Sequence, residues 1–196
     1  MIKRGNFFTY LRIFNNEAAT YIFFLVILLF VKAMFIFLSG PLPDEAYYWL
    51  WSKKLAFSYY DHPPLSMWVQ GLISNFIPSK QIQIRIVPLI SFIAILALNI
   101  HWMRLIGINN TLDKIKSCLM LISIPLYSIF LTVSFPDATL IFLIFLSGFY
   151  FYKFIREFLL EENKYIYWYI SILTFSFACI TKYNAVIFGV GVVIFL

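Results

Sequence analysis

The stretch from Ser117 to Tyr152 constrains this chain most, because Asp137 is the only charged residue within it. One continuous helix over that length would measure about 54 Å, against a hydrocarbon core of about 30 Å. The chain must therefore double back, and Phe135-Pro136-Asp137 is the natural turn. Two spans result, at about 117–134 and 138–152. Apolar runs at about 21–39, 86–103, 165–180 and 184–196 supply the others, and the last is still apolar at Leu196. The predicted fold class is all-α. It is a polytopic transmembrane helical bundle forming a single module over residues 1–196, cut short within its last span, with one long outer loop at 40–85.

Composition excludes the main alternatives. Hydrophobic residues are 62% of the chain and charged residues 12%, with a mean hydropathy of +0.86. A soluble domain of this length cannot bury so much apolar surface, so the bilayer acts as solvent. The net charge of +6 does not indicate nucleic acid, because the basic residues sit at the ends of apolar runs. That distribution is a topology signal. Cys118 and Cys179 both lie in apolar segments, which argues for packing thiols rather than a disulfide or a metal site. No metal ligand set and no cofactor is expected.

The basic residues also set an orientation. With the N-terminus in the cytoplasm, Lys3, Arg4, Arg12, Arg104, Lys114, Lys116, Lys153, Arg156 and Lys164 fall inside. Lys53, Lys54, Lys80, Arg85 and Lys182 fall outside. This bias predicts an integral, multi-pass protein of the plasma (inner) membrane, its first span kept as an anchor. It collects Asp44, Glu45, Asp61 and Asp137 on the outer face. Lys32 lies within the first span and must either face the bundle interior or snorkel. Leu65–Ile77 is apolar but too short to span, which suits a helix in the interface.

Candidate chemistry concentrates in the outer loop. Pro43-Asp44-Glu45 is a good helix start, since carboxylates favour the positive end of the helix dipole. A carboxylate just above the bilayer, walled by aromatics such as Tyr47 and Tyr60, can equally serve as general base for a hydroxyl; both readings can hold together. In Tyr60-Asp61-His62-Pro63-Pro64 the prolines forbid helix and hold His62 extended. His62 could donate to a phosphate oxygen with Asp61 fixing its tautomer, or form a solvated turn. Asp137 is a helix N-cap or an outer-face site residue, and Lys182 a phosphate partner or a snorkelling cation.

These motifs, with Ser134-Phe-Pro-Asp137-Ala138 and Thr181-Lys182-Tyr183-Asn184, resemble GT-C membrane glycosyltransferases, in the protein mannosyltransferase / aminoarabinose-transferase-like set that includes family 39. The resemblance covers nearly the whole chain and corresponds to that family's N-terminal portion. It implies sugar transfer from a polyprenyl-phosphate donor to a hydroxyl acceptor on a glycolipid, glycan or protein, at the outer membrane face. It maps the catalytic base onto Asp44 with Glu45 as its motif partner. It places His62 near the donor phosphate and gives Asp137 a role in acceptor or donor positioning; Asp61, Lys182, Tyr47 and Tyr60 complete the expected substrate-binding set. Direct displacement of the lipid phosphate would invert the anomeric centre. The alternatives from other classes are a non-catalytic polyprenyl-glycolipid binding or transport subunit, and an inactive fragment.

Overall fold

A computed structural model describes residues 4–161 and 164–195, with side chains described from Glu17 onward except that of Gln81. Lys3 and Leu196 lie outside the described residues, as do the side chains of Arg4 and Arg12. The described chain is all helix and turn. In order it runs α1 (Arg4–Leu38), α2 (Pro43–Ser52), α3 (Leu65–Ser74), α4 (Lys80–Leu105), α5 (Thr111–Ser123), α6 (Pro125–Phe130), α7 (Pro136–Leu159), α8 (Ile166–Thr181) and α9 (Val186–Phe195). A short 3-10 turn, Tyr183–Ala185, links the last two.

Glu17–Leu38, Ile82–Leu105 and Pro136–Leu159 are long and apolar enough to cross a membrane. Ile166–Thr181 and Tyr183–Phe195 are shorter apolar helices. The chain is thus an all-α membrane helical bundle. Its outward-facing apolar residues, such as Phe23, Phe30 and Ile93, are what a lipid solvent requires. The core instead joins α4, α5 and α7 through Phe92, Ile95, Ile122, Leu131 and Ala138, with Leu25, Leu28 and Leu29 of α1 against them.

Residues 117–134 differ from one straight span. Ile124 is extended (φ −69°, ψ 113°) ahead of Pro125, so the helix breaks into α5 and α6. Residues 131–135 then cross to α7 without helical structure. Non-helical backbone is tolerated at membrane depth only where protein covers it and satisfies it. Leu131, Thr132, Val133 and Ser134 are accordingly all buried. Lys32, itself buried, faces the bundle interior: its Nζ donates to Ser128 O at 3.2 Å and to Thr132 Oγ1, and lies 4.4 Å from the Phe92 ring centroid. The intramembrane lysine therefore braces the break between α6 and α7.

The 40–85 segment carries α2 and α3. Helix α3 buries its small and polar side, Ser66, Gln70, Gly71 and Ser74 with Met67, while Leu72 is exposed. Gly71 allows the close crossing with α2, since a Cβ there would sit 2.4 Å from Ser52 O.

Candidate functional site

The site forms where the C-terminus of α1, the start of α2, the start of α4 and the start of α7 meet. Pro43 opens α2 and places Asp44 and Glu45 in its first turn. Their surroundings are opposite. Glu45 is fully buried, and its carboxylate takes N–H donors from Arg85 Nε (2.8 Å), Arg85 Nη2 (2.7 Å), Leu42 N (2.9 Å) and Ser134 N (2.9 Å). Asp44 is exposed, and its carboxylate makes no hydrogen bond or ion pair among the described residues.

Arg85 extends the network in the other direction. Its Nη1 donates to Phe35 O (2.9 Å), Ser39 O (3.2 Å) and Ser39 Oγ (2.8 Å), and Nη2 to Gly40 O (2.9 Å). Phe35 O already accepts from Ser39 N and Ser39 Oγ, so the guanidinium adds to the capping of the last turn of α1. One guanidinium thus caps α1, pairs with α2 in a two-point fork and is carried by α4. Burial alone would raise the Glu45 carboxyl. The Arg85 guanidinium and the Leu42 and Ser134 N–H groups outweigh it and hold the group below its ordinary value.

Tyr48 lies one helical turn beyond Asp44, on the same face of α2. Its ring stacks on His62 at 5.4 Å and meets Phe135 edge-on at 6.1 Å. Burial, then the charges of Asp61, Asp44 and Asp137, push its phenol up to about 12. His62 Nδ1 is 2.5 Å from Asp61 O. A carbonyl can only accept, so Nδ1 carries a hydrogen; in the neutral ring Nε2 then accepts from Tyr48 Oη at 3.3 Å. The Asp61 carboxylate stands 3.7 Å from the same Nδ1.

Across the cleft, Pro136 starts α7 and Asp137 follows. Lys182, extended at the end of α8, donates to Asp137 Oδ1 at 2.8 Å and Oδ2 at 2.9 Å. Both side chains are part-exposed, 24% for Lys182 and 17% for Asp137.

The structure thus sets His62, with Asp61 beside it, against Tyr48 one turn from Asp44, and separately pairs Asp137 at the start of α7 with Lys182. Tyr47 is displaced to the side, packed on Trp51 at 4.1 Å. Tyr60 is 94% exposed and stands away from the cleft. The neighbouring Tyr59 instead organises the loop, its hydroxyl donating to Trp51 O and Lys54 O (3.2 and 2.9 Å) while its ring stacks on Trp51. Sequence reasoning missed Tyr48, although its spacing from Asp44 gave it away. It also treated Arg85 purely as a topology marker. Among the described residues no group of three or more His, Cys, Asp or Glu is placed to hold a metal ion.

An apolar groove lies between α3, α4 and α7, walled by Leu65, Val69, Ile73, Ile90 and Phe142. A larger one lies between α8 and α9, lined by residues such as Phe175 and Val190, and none of the acidic site residues line it.

A family model described as dolichyl-phosphate-mannose-protein mannosyltransferase matches residues 61–196. The chain belongs to this family. It is a GT-C-like membrane glycosyltransferase of the mannosyltransferase type. The match spans Asp61, His62, Asp137 and Lys182, and begins after Asp44 and Glu45. No curated protein and no solved structure matches the chain.

Proposed function

We propose that the protein transfers a sugar from a polyprenyl-phosphate donor to a hydroxyl acceptor, with Asp44 as general base. The observation that carries this reading is the contrast within one helical turn. Glu45 is saturated by donors and cannot take a proton without dismantling the junction of α1, α2, α4 and α7. Asp44, one turn from Tyr48, is exposed, its carboxylate free of protein donors among the described residues.

The acceptor hydroxyl gives its proton to an Asp44 oxygen while its own oxygen forms the bond to the anomeric carbon. The bond from that carbon to the phosphate oxygen breaks, and the electron pair leaves with the polyprenyl phosphate. The anomeric centre inverts. Lys182 and the Tyr48 hydroxyl are the donors best placed for the departing phosphate, with His62 beside them. Lys182 can exchange Asp137 for phosphate because the pair is part-exposed. Proton transfer to a positioned base is worth roughly 10²- to 10⁴-fold in rate. The groove below Leu65 supports a lipid-borne donor, since its apolar walls fit an isoprenoid chain whose head group reaches the cleft. Glu45 and Arg85 act here as positioning residues. The charge bias places this end of the bundle on the outer face, and labelling of Phe57→Cys by an impermeant reagent from that side tests it.

The chain in nanodiscs, given radiolabelled polyprenyl-phosphate mannose and a panel of hydroxyl acceptors, is expected to yield glycoside of inverted configuration and one equivalent of polyprenyl phosphate. Donor that binds but is never consumed would favour the binding-subunit reading instead.

A further inference from the structure

Beside Tyr48 is a small cleft bordered by Ser66, Gln70, Ser134 and Thr139 and by the apolar Met67 and Val87, with room for a single water-sized group. Two of its side chains are anomalous. Ser66 Oγ and Thr139 Oγ1 are buried, each residue 7% exposed, and neither hydroxyl has a protein hydrogen-bond partner among the described residues. Elsewhere in this chain buried threonines bond back one turn, as Thr132 does to Ser128 O, Thr174 to Ile170 O and Thr181 to Phe177 O. Ser66 and Thr139 sit in the first turns of α3 and α7, and neither bonds back in this way. Gln70 is committed as well, its Nε2 donating to the backbone of α4 at Gln83 and Ile84.

Buried hydroxyls left unpaired cost stability, so two that converge on one cleft signal a group that completes them. The position identifies the group. Tyr48, whose hydroxyl meets His62 Nε2, also lines the cleft, so the cleft adjoins the proposed transfer site. We infer that the Ser66–Thr139 cleft receives one hydroxyl of the transferred sugar and that these two residues determine which sugar is accepted; the inference rests on the glycosyltransferase reading above. One hydroxyl fits the space, accepting from one side chain and donating to the other. A site built to bond a substrate hydroxyl discriminates strongly against an analogue lacking it, because its own polar groups are then stranded.

The test uses the full chain in nanodiscs with polyprenyl-phosphate hexoses (mannose, glucose, galactose), and then the monodeoxy analogues of the hexose transferred. For one analogue, wild-type kcat/KM is expected to fall about tenfold or more, the worth of one to two neutral hydrogen bonds. In Ser66→Ala and in Thr139→Val that penalty is expected to shrink towards unity, while the other analogues keep their wild-type ratios. Either variant alone decides the matter if the other fails to fold. Equal slowing of every donor, as a buried structural water would produce, overturns the inference, and so does wild-type discrimination retained in both variants. A wild-type chain that transfers none of the hexoses overturns the underlying reading itself, which separates the two failures.

Discussion

Two acid–base pairs flank the cleft, and their difference separates architecture from chemistry. Glu45–Arg85 is sealed, its side chains 0% and 1% exposed, and is closed by a two-point fork and further donors on both partners. Asp137–Lys182 is half open, with a point-charge ammonium that can choose another anion. A sealed pair cannot exchange partners without stranding a charge; an open one can. The first holds four helices in register, and the second is free to meet a phosphate.

Breaking the sealed pair has the largest expected effect. Arg85→Met leaves the Glu45 carboxylate buried without its cation and uncaps α1, costing about 3–5 kcal/mol of stability. Thermal unfolding in nanodiscs checks this, and Arg85→Lys is expected to rescue little because lysine cannot form the fork. A wild-type melting temperature for Arg85→Met would erase the distinction between the two pairs.

Breaking the open pair sharpens the comparison from the other side. Lys182→Met is expected to change stability by less than about 1 kcal/mol, since part-exposed pairs contribute little. The donor KM is expected to rise about tenfold or more through loss of a charge-assisted bond to phosphate.

Acid titration separates the pairs again. The folded Glu45 carboxyl lies below its ordinary value, so it contributes stability that is present above the unfolded pKa and lost as pH falls through the folded one. The melting temperature of the wild type is expected to drop across that acid range, and Glu45→Gln to flatten the drop.

The smallest effect belongs to Tyr48→Phe, which removes one hydroxyl donor and is expected to slow transfer by about tenfold or less with stability nearly unchanged. Because its phenol is pushed up to about 12, Tyr48 stays protonated through the neutral and mildly alkaline range. Its hydroxyl therefore adds no alkaline limb to the rate profile there.

Much of this arrangement was legible in the chain. The lack of any charge but Asp137 from Ser117 to Tyr152 forced a reversal, and Pro136 begins α7 where the turn was expected. Pro43 opens α2 likewise. The break between α5 and α6 was also written, in Ile124-Pro125, but hydropathy reads through a proline as though it were any apolar residue. Lys32 was left between two placements because its phase on α1 depends on which neighbours pack against it; Ser128 and Thr132 settle that only once α6 is in place. Arg85 and Glu45 lie far apart in sequence, and nothing local pairs them. Tyr48 rather than Tyr47 follows from helical phase, since Asp44 and Tyr48 share a face. Tyr60 had no such rule to judge it, being in a proline-bounded turn.

The most direct test of the account is Asp44→Asn in nanodiscs, measuring donor binding and sugar transfer on the same preparation. The expected result is transfer reduced roughly 10²- to 10⁴-fold, with donor affinity and melting temperature at wild-type values. Transfer at the wild-type rate by that variant would contradict the assignment of Asp44 as the base and, with it, the division of labour between Asp44 and Glu45.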